Sequence, residues 1–260
     1  MKAIVVGAGG MAGSAFIREL PRLDCECIAV TRENYDRMAG SEADILINAN
    51  GNSAKYLARR DPAGEIERSV TSVMRTCCDF HYDKYVLLSS ADVYTRCDDP
   101  TANTEETVIR PEAISIYALC KFMAECTARN QCADLLVLRC GGLIGPGLRK
   151  NPVYDLLTGA GLFVHPDSRF GFLSTRELAH IVDALIRCDA EGVVNACGHG
   201  LVSIREAMEI TNRRDAQAPA DARPIRYEIN HDKLSAVHEP SDSAATVRAF
   251  VAWWRESEAR

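Results

Sequence analysis

The chain opens with a short apolar run, Ala3-Ile4-Val5-Val6, that stops at Gly7-Ala8-Gly9-Gly10-Met11-Ala12-Gly13. Nothing else in the sequence constrains the fold as strongly. A buried strand must turn sharply on glycine and enter a helix at once. Glycines at 7, 10 and 13 permit a tight turn, close backbone approach to a pyrophosphate and close helix-to-strand packing. A helix beginning near Met11 aims its N–H groups and the positive end of its dipole at that phosphate. The strand before and the helix after supply the context the motif requires. Gly7, Gly9, Gly10, Met11 and Gly13 are therefore predicted cofactor contacts.

The rest of the chain repeats that alternation. Cys27–Thr31, Asp44–Asn48, Tyr85–Ser89, Leu135–Arg139 and Val193–Ala196 read as strands. Met11–Leu20, Ile66–Phe80, Ser115–Asn130 and Glu177–Cys188 read as helices. Strands alternating with helices imply parallel βαβ units and an α/β, doubly wound Rossmann-type sheet. Only 12 residues separate Thr31 from Asp44, about the minimum for a helical crossover. A helix is curtailed there, or a strand-helix unit is missing.

A sheet of this kind holds ligands at the carboxyl ends of its strands. At the end of the second strand an acidic residue would bind a ribose 2′-hydroxyl and a basic one a 2′-phosphate. Thr31-Arg32 stands there, which favours NADP over NAD, although Arg32 pointing to solvent accounts for the sequence as well. Ser89-Ser90 ends the strand Tyr85–Ser89. Tyr117 and Lys121 lie four apart on a predicted helix and share a face. A lysine ammonium beside a phenol favours phenolate, so Tyr117 becomes a proton acceptor or donor while hydride moves to or from a nicotinamide. Ser90 is placed to hydrogen-bond the same substrate oxygen.

At this point the chain resembles the extended short-chain dehydrogenase/reductase superfamily, in its NAD(P)-dependent epimerase/dehydratase group that modifies nucleotide sugars. The resemblance runs over nearly the whole length. It rests on Gly7-x-x-Gly10-x-x-Gly13, on Ser89-Ser90-Ala91-Asp92-Val93-Tyr94, on Tyr117-Ala-Leu-Cys-Lys121 and on Leu138-Arg139 with Gly141–Gly147. Phe172–Ala179 and Asn195-Ala196-Cys197-Gly198 add to it. The resemblance implies that Ser90, Tyr117 and Lys121 are catalytic. It implies that Asn48, Asn50, Ser89, Tyr117 and Lys121 line the cofactor, and that the chain dimerises through the Tyr-bearing helix. In such relatives the residue two after the catalytic Ser or Thr tunes the reaction. Asp92 is thus either a second acid/base or a strand-end carboxylate capping the next turn. The loop Ala49-Asn50-Gly51-Asn52-Ser53 departs from the usual pattern.

Arg149, Lys150 and Arg169 are candidates for gripping a substrate diphosphate. A Rossmann unit over 1–147, regaining 172–197, and a small substrate lobe from 148–171 and 198–260 follow. The expected activity is reduction or epimerisation-reduction of a nucleotide-activated sugar, with dehydration in the same set. A reductase or dehydrogenase of a non-sugar carbonyl or alcohol is the second reading, and a non-catalytic NADP-binding sensor the third.

Composition excludes other classes. With 30 Lys+Arg against 36 Asp+Glu the chain lacks the basic excess of a nucleic-acid binder. Its apolar stretches are too short to span a bilayer, and the first is too short for a signal peptide, so a cytoplasmic protein is expected. Eleven cysteines show no Cys-x-x-Cys spacing, so no metal site is expected and most read as small buried hydrophobes.

Overall fold

The computed structural model describes residues 1–52 and 55–258, so Ser53 lies outside the described residues. The first half contains β1 (Lys2–Val6), α1 (Met11–Glu19), β2 (Glu26–Val30), α2 (Tyr35–Met38) and β3 (Glu42–Asn48). It continues with α3 (Lys55–Arg60), α4 (Pro62–Ile66), α5 (Ser72–Asp79), β4 (His81–Ser90), α6 (Ile116–Gln131) and β5 (Leu135–Cys140). Then come β6 (Gly142–Ile144), α7 (Pro152–Thr158), β7 (Arg169–Phe170), β8 (Phe172–Ser174), α8 (Thr175–Arg187) and β9 (Gly192–Ala196). The chain ends with β10 (Val202–Ser203), α9 (Ile204–Thr211), β11 (Arg226–Tyr227), α10 (Asp232–Ser235) and α11 (Ser243–Glu258).

Six parallel strands form the main sheet in the order β2-β1-β3-β4-β5-β9. Their residues alternate between two cores, as the strand pleat demands. Val5, Ile47, Leu88 and Leu138 face α1 and α8, meeting Phe16, Leu178 and Val182. Ile4, Leu46, Leu87 and Val137 face α5 and α6, meeting Val73, Ala124 and Ala128. Each such aliphatic side chain contributes about 1.5–3 kcal/mol on full burial. The order reverses between β1 and β3, which opens a crevice at their carboxyl ends.

The crossover from β2 to β3 holds only the four-residue α2, and β3 lies across β1 from β2 with no strand beyond β2 among the described residues, so the helix is curtailed and the strand-helix unit that would lie beyond β2 is missing as well. The helix expected over 66–80 is present, begins earlier at Pro62 and widens in its middle. Asp61 caps α4, accepting from the Gly64 backbone, and a wide π-helical turn, Glu67–Thr71, joins α4 to α5.

Outside the main sheet, β6 pairs with β8, and β10-β7-β11 make a small three-stranded sheet. Helices α7, α9 and α11 enclose a separate core with Leu156, Phe172, Ile204, Val247 and Phe250. Trp254 stands edge-on to Tyr154, and Trp253 stacks on Phe250. Among the described residues no helix is long and apolar enough to cross a membrane.

Candidate functional site

Helices α6, α7, α8 and α9 each start under a side-chain cap, from Ser115, Asn151, Ser174 and Ser203 respectively. Helix α1 does not: it starts at Gly10 with no side-chain cap and no acid in its first turn. Its orphan N–H groups and positive dipole end therefore face the crevice. Gly7 has φ +80°, and a Cβ there would lie 2.8 Å from the Asn50 nitrogen in the loop after β3. A Cβ on Gly13 would lie 2.1 Å from the Gly7 carbonyl oxygen, so α1 rests directly on the turn. Nothing lies within 4 Å of a Cβ built on Gly9, which leaves open space beside the helix start. These features fit a dinucleotide's pyrophosphate. Met11 heads the helix, while its side chain packs against the core of the α7–α9–α11 region.

At the tip of β2, the Thr31 backbone donates to Asn34 Oδ1 at 2.7 Å, which shapes a short turn. Arg32 is exposed and forms no ion pair among the described residues. Asn50 is exposed at the end of β3 and donates to the Ser72 hydroxyl at 2.6 Å.

Ser90, Tyr117 and Lys121 converge at the carboxyl edge. Tyr117 is 6% exposed, and the Ser90 hydroxyl is near enough to its phenol to pull its pKa down. Lys121 Nζ lies 6.0 Å from the Tyr117 ring centroid, and a Cβ on Gly51 would come within 2.8 Å of it. The buried ammonium is thus set between the phenol and the loop after β3. Burial lowers its pKa, and the carboxylate of Glu65 opposes that most. The phenol, however, is not driven toward phenolate as the spacing suggested. Burial raises the Tyr117 pKa well above its ordinary value, and the charge of Asp92 raises it further, while the Ser90 hydroxyl pulls the other way. Tyr117 is accordingly a neutral phenol near pH 7.

Asp92 has both oxygens engaged. Tyr227 donates to Oδ1 at 3.1 Å, and Lys55 Nζ lies 2.5 Å from Oδ2. Its backbone N–H donates to the Ser90 hydroxyl at 3.3 Å. Lys150 joins the same cluster: burial first, then repulsion from Lys55, pushes its pKa down to about 8, while Asp92 and Glu65 hold it up. Lys55, Tyr227 and Glu65 carried no motif in the sequence. They arrive from three separate segments, and only the fold brings them to Asp92 and Lys121.

Three expected contacts are corrected. Asn48 is wholly buried; it donates to Thr76 at 2.9 Å and Tyr85 at 2.8 Å and accepts from the Asn50 backbone at 3.0 Å. It shares the face of Leu46 and shapes the loop from beneath rather than reaching the crevice. Ser89 shares the face of Leu87, and its hydroxyl is committed to Glu125 at 2.6 Å. Arg169 sits on β7 beside Phe170, whose ring lies 6.4 Å from that of Tyr227. The pleat turns Arg169 to the opposite face, away from Asp92, where its charge acts on Asp167. Arg149 is exposed and forms no ion pair among the described residues.

A buried network underlies the site. Arg139, 2% exposed, forks onto the fully buried Glu125 at 3.1 and 2.8 Å and donates to the Tyr94 hydroxyl at 3.0 Å. Tyr94 donates to Asn195 at 2.8 Å. Ser89, Tyr94, Arg139 and Asn195, all parts of recognisable motifs, thus act behind the crevice.

Comparisons with known proteins agree with this architecture. MoeE5 in complex with UDP-glucuronic acid and NAD superposes with TM-score 0.85 at 18% identity, covering 99% of this chain and 100% of that one. A dTDP-4-dehydrorhamnose reductase from Bacillus anthracis, in complex with NADP, gives TM-score 0.82 at 15% identity, covering 97% and 99%. A UDP-galactose 4-epimerase gives TM-score 0.81 at 19% identity, covering 99% of each. Comparison with curated proteins gives no match. The model of the NAD dependent epimerase/dehydratase family matches residues 3–157, more than half of the sequence, and the chain belongs to that family.

Proposed function

We propose that this protein is a nicotinamide-dependent oxidoreductase of a nucleotide-activated sugar, working as a reductase or epimerase-reductase. The observation that carries the reading is the meeting of Ser90, Tyr117 and Lys121 beside the uncapped start of α1. The Gly7–Gly13 turn and α1 would hold the pyrophosphate, and Lys121 and the loop after β3 the nicotinamide end. NADP is the preferred form on this reading, because Arg32 is exposed and unpaired at the tip of β2. The bound nicotinamide supplies or accepts hydride.

A phenol kept neutral is poised to give its proton to a carbonyl oxygen, which is the reductive direction. Ser90 lies beside the Tyr117 phenol and would hold the substrate oxygen within reach of it. Lys121 stabilises the phenolate left behind. Asp92, held by Lys55 and Tyr227, is a fixed negative charge; to act as a base it must first exchange one of those partners. Lys55 and Lys150, with Arg149, are the cations available to a substrate's phosphates. A dimer formed through α6 belongs to the same reading.

The test is to mix the protein with NADPH and a panel of nucleotide 4-keto sugars, following loss of nicotinamide absorbance. Turnover that depends on the nucleotide supports the assignment. Turnover only with simple non-sugar ketones or aldehydes would overturn the sugar assignment and leave the hydride chemistry standing.

A further inference from the structure

We propose that Cys77 and Cys132 form an oxidant-reactive dithiol, a reversible disulfide site joining the far ends of α5 and α6. The site lies at the amino edge of the main sheet, on the opposite side from the glycine turn, and stands apart from the functional reading above.

The two sulfurs are 3.6 Å apart although 55 positions separate them in sequence. No Cys-x-x-Cys spacing marks them; only the packing of α5 against α6 brings them together. The Tyr82 hydroxyl lies 3.1 Å from the Cys77 carbonyl and 3.4 Å from Cys132 Sγ, which fixes both residues. An S–S bond of about 2.0 Å requires only a modest approach from this geometry. Both cysteines line an open pocket of about 660 Å³ with Glu42, Asp44, His81 and Tyr82, so a small polar oxidant has access. The hydrogen bond from Cys77, helped by Tyr82, pushes the Cys132 pKa down to about 7 against burial. Thiolate is the reactive form, so Cys132 is the attacking sulfur.

The other cysteines lack this arrangement. Only Cys25, Cys120, Cys140 and Cys197 are buried, fewer than the sequence suggested, and Cys78, Cys126 and Cys188 are exposed. The thiols of Cys25 and Cys27 also interact, but only one residue separates them, on the β2 side of the molecule, and their sulfurs turn to the carbonyls of Glu26 and Cys25 at 3.7 and 3.6 Å.

The co-reactant is a hydroperoxide. Cys132 thiolate attacks one peroxide oxygen, the O–O bond breaks, and the alkoxide leaves and takes up a proton, giving Cys132 sulfenic acid. Cys77 sulfur then attacks the sulfenic sulfur, the S–S bond forms, and hydroxide leaves and takes the Cys77 proton as water. Two thiols are oxidised by two electrons and one peroxide is reduced to an alcohol and water.

The full chain would be treated with hydrogen peroxide near pH 7, alkylated and digested. The expected product is a Cys77–Cys132 cross-linked peptide pair, lost on adding dithiothreitol, while Cys120, Cys140 and Cys197 stay reduced. Cys132→Ser should abolish the cross-link and protect Cys77 from fast oxidation. Cys78→Ser should leave the cross-link intact, which guards against a result due to misfolding. Oxidation confined to Cys78, Cys126 and Cys188, with Cys77 and Cys132 fully alkylated, would overturn the proposal. So would over-oxidation of Cys132 to sulfinic acid with Cys77 untouched.

Discussion

Tyr227 donates its hydroxyl to the carboxylate of Asp92 at 3.1 Å, so a residue from β11 fixes a charge two positions beyond Ser90. The small three-stranded sheet and the main sheet are thereby tied together at the candidate site. Tyr227→Phe keeps the ring and removes the bond, leaving Lys55 alone on the carboxylate. The expected loss is about 1.5–3 kcal/mol, the range for a hydrogen bond to a charged group. Urea unfolding checks it, and a change below the error of extrapolation would mean that Asp92 recruits another partner.

Tyr117→Phe deletes the proposed proton donor and little else. Turnover should fall by about 100-fold or more, the scale of general acid catalysis. NADPH binding measured by fluorescence should stay within a few-fold. Undiminished turnover would remove Tyr117 from its assigned role.

Lys150 gives a pH-dependent signature. Its pKa is pushed down to about 8 from an ordinary 10.5, so folding disfavours the ammonium form. That penalty is fully present below pH 8 and fades as the pH rises toward 10.5. Lys150→Met should therefore be more stable than the parent at pH 7, with the difference shrinking through pH 8–10 and vanishing above. Unfolding free energies across that range test the sign, and NMR of the reductively methylated protein should place one lysine near pH 8.

Glu125 and Arg139 form a buried pair that also holds Ser89 and Tyr94. Removing one charge leaves the other buried and unanswered, at a cost of about 3–5 kcal/mol. Glu125→Leu and Arg139→Met should each destabilise on that scale, and the double variant should lose much less than the two together. Chemical denaturation of the four proteins completes the cycle.

Gly13→Ala tests the turn. Its methyl would fall 2.1 Å from the Gly7 carbonyl oxygen, so α1 must lift from the turn. Overpacking of this kind costs about 1–3 kcal/mol. Cofactor affinity should fall with it, whereas Gly9→Ala, with open space around its Cβ, should leave stability near that of the parent.

The sheet was legible because buried parallel strands are nearly continuous apolar runs, as in Leu135–Cys140. The glycine turn and Tyr117-x-x-x-Lys121 were legible because their chemistry is local in sequence. Helices α7 and α9 were not, being only 7 and 8 residues long. The misplacements of Asn48, Ser89 and Arg169 share one cause. Each lies on a strand, and the pleat assigns its face: Asn48 and Ser89 fall two after buried Leu46 and Leu87, and Arg169 falls next to Phe170, on the opposite face. Lys55 and Tyr227 offered no such count, since each meets Asp92 only through the tertiary fold.

The curtailed β2–β3 crossover also decides what borders solvent. Among the described residues no strand lies beyond β2, so it ends the parallel sheet and one row of its backbone N–H and C=O groups has no strand partner. Such an edge can accept a strand from another molecule and begin aggregation. Here it is only five residues long, starts with exposed Glu26 and is followed by exposed Arg32 and Glu33. The charge set at the tip of β2 thus serves colloidal stability, apart from the cofactor role proposed for Arg32, and neutralising Arg32 and Glu33 together should make the protein more prone to self-association.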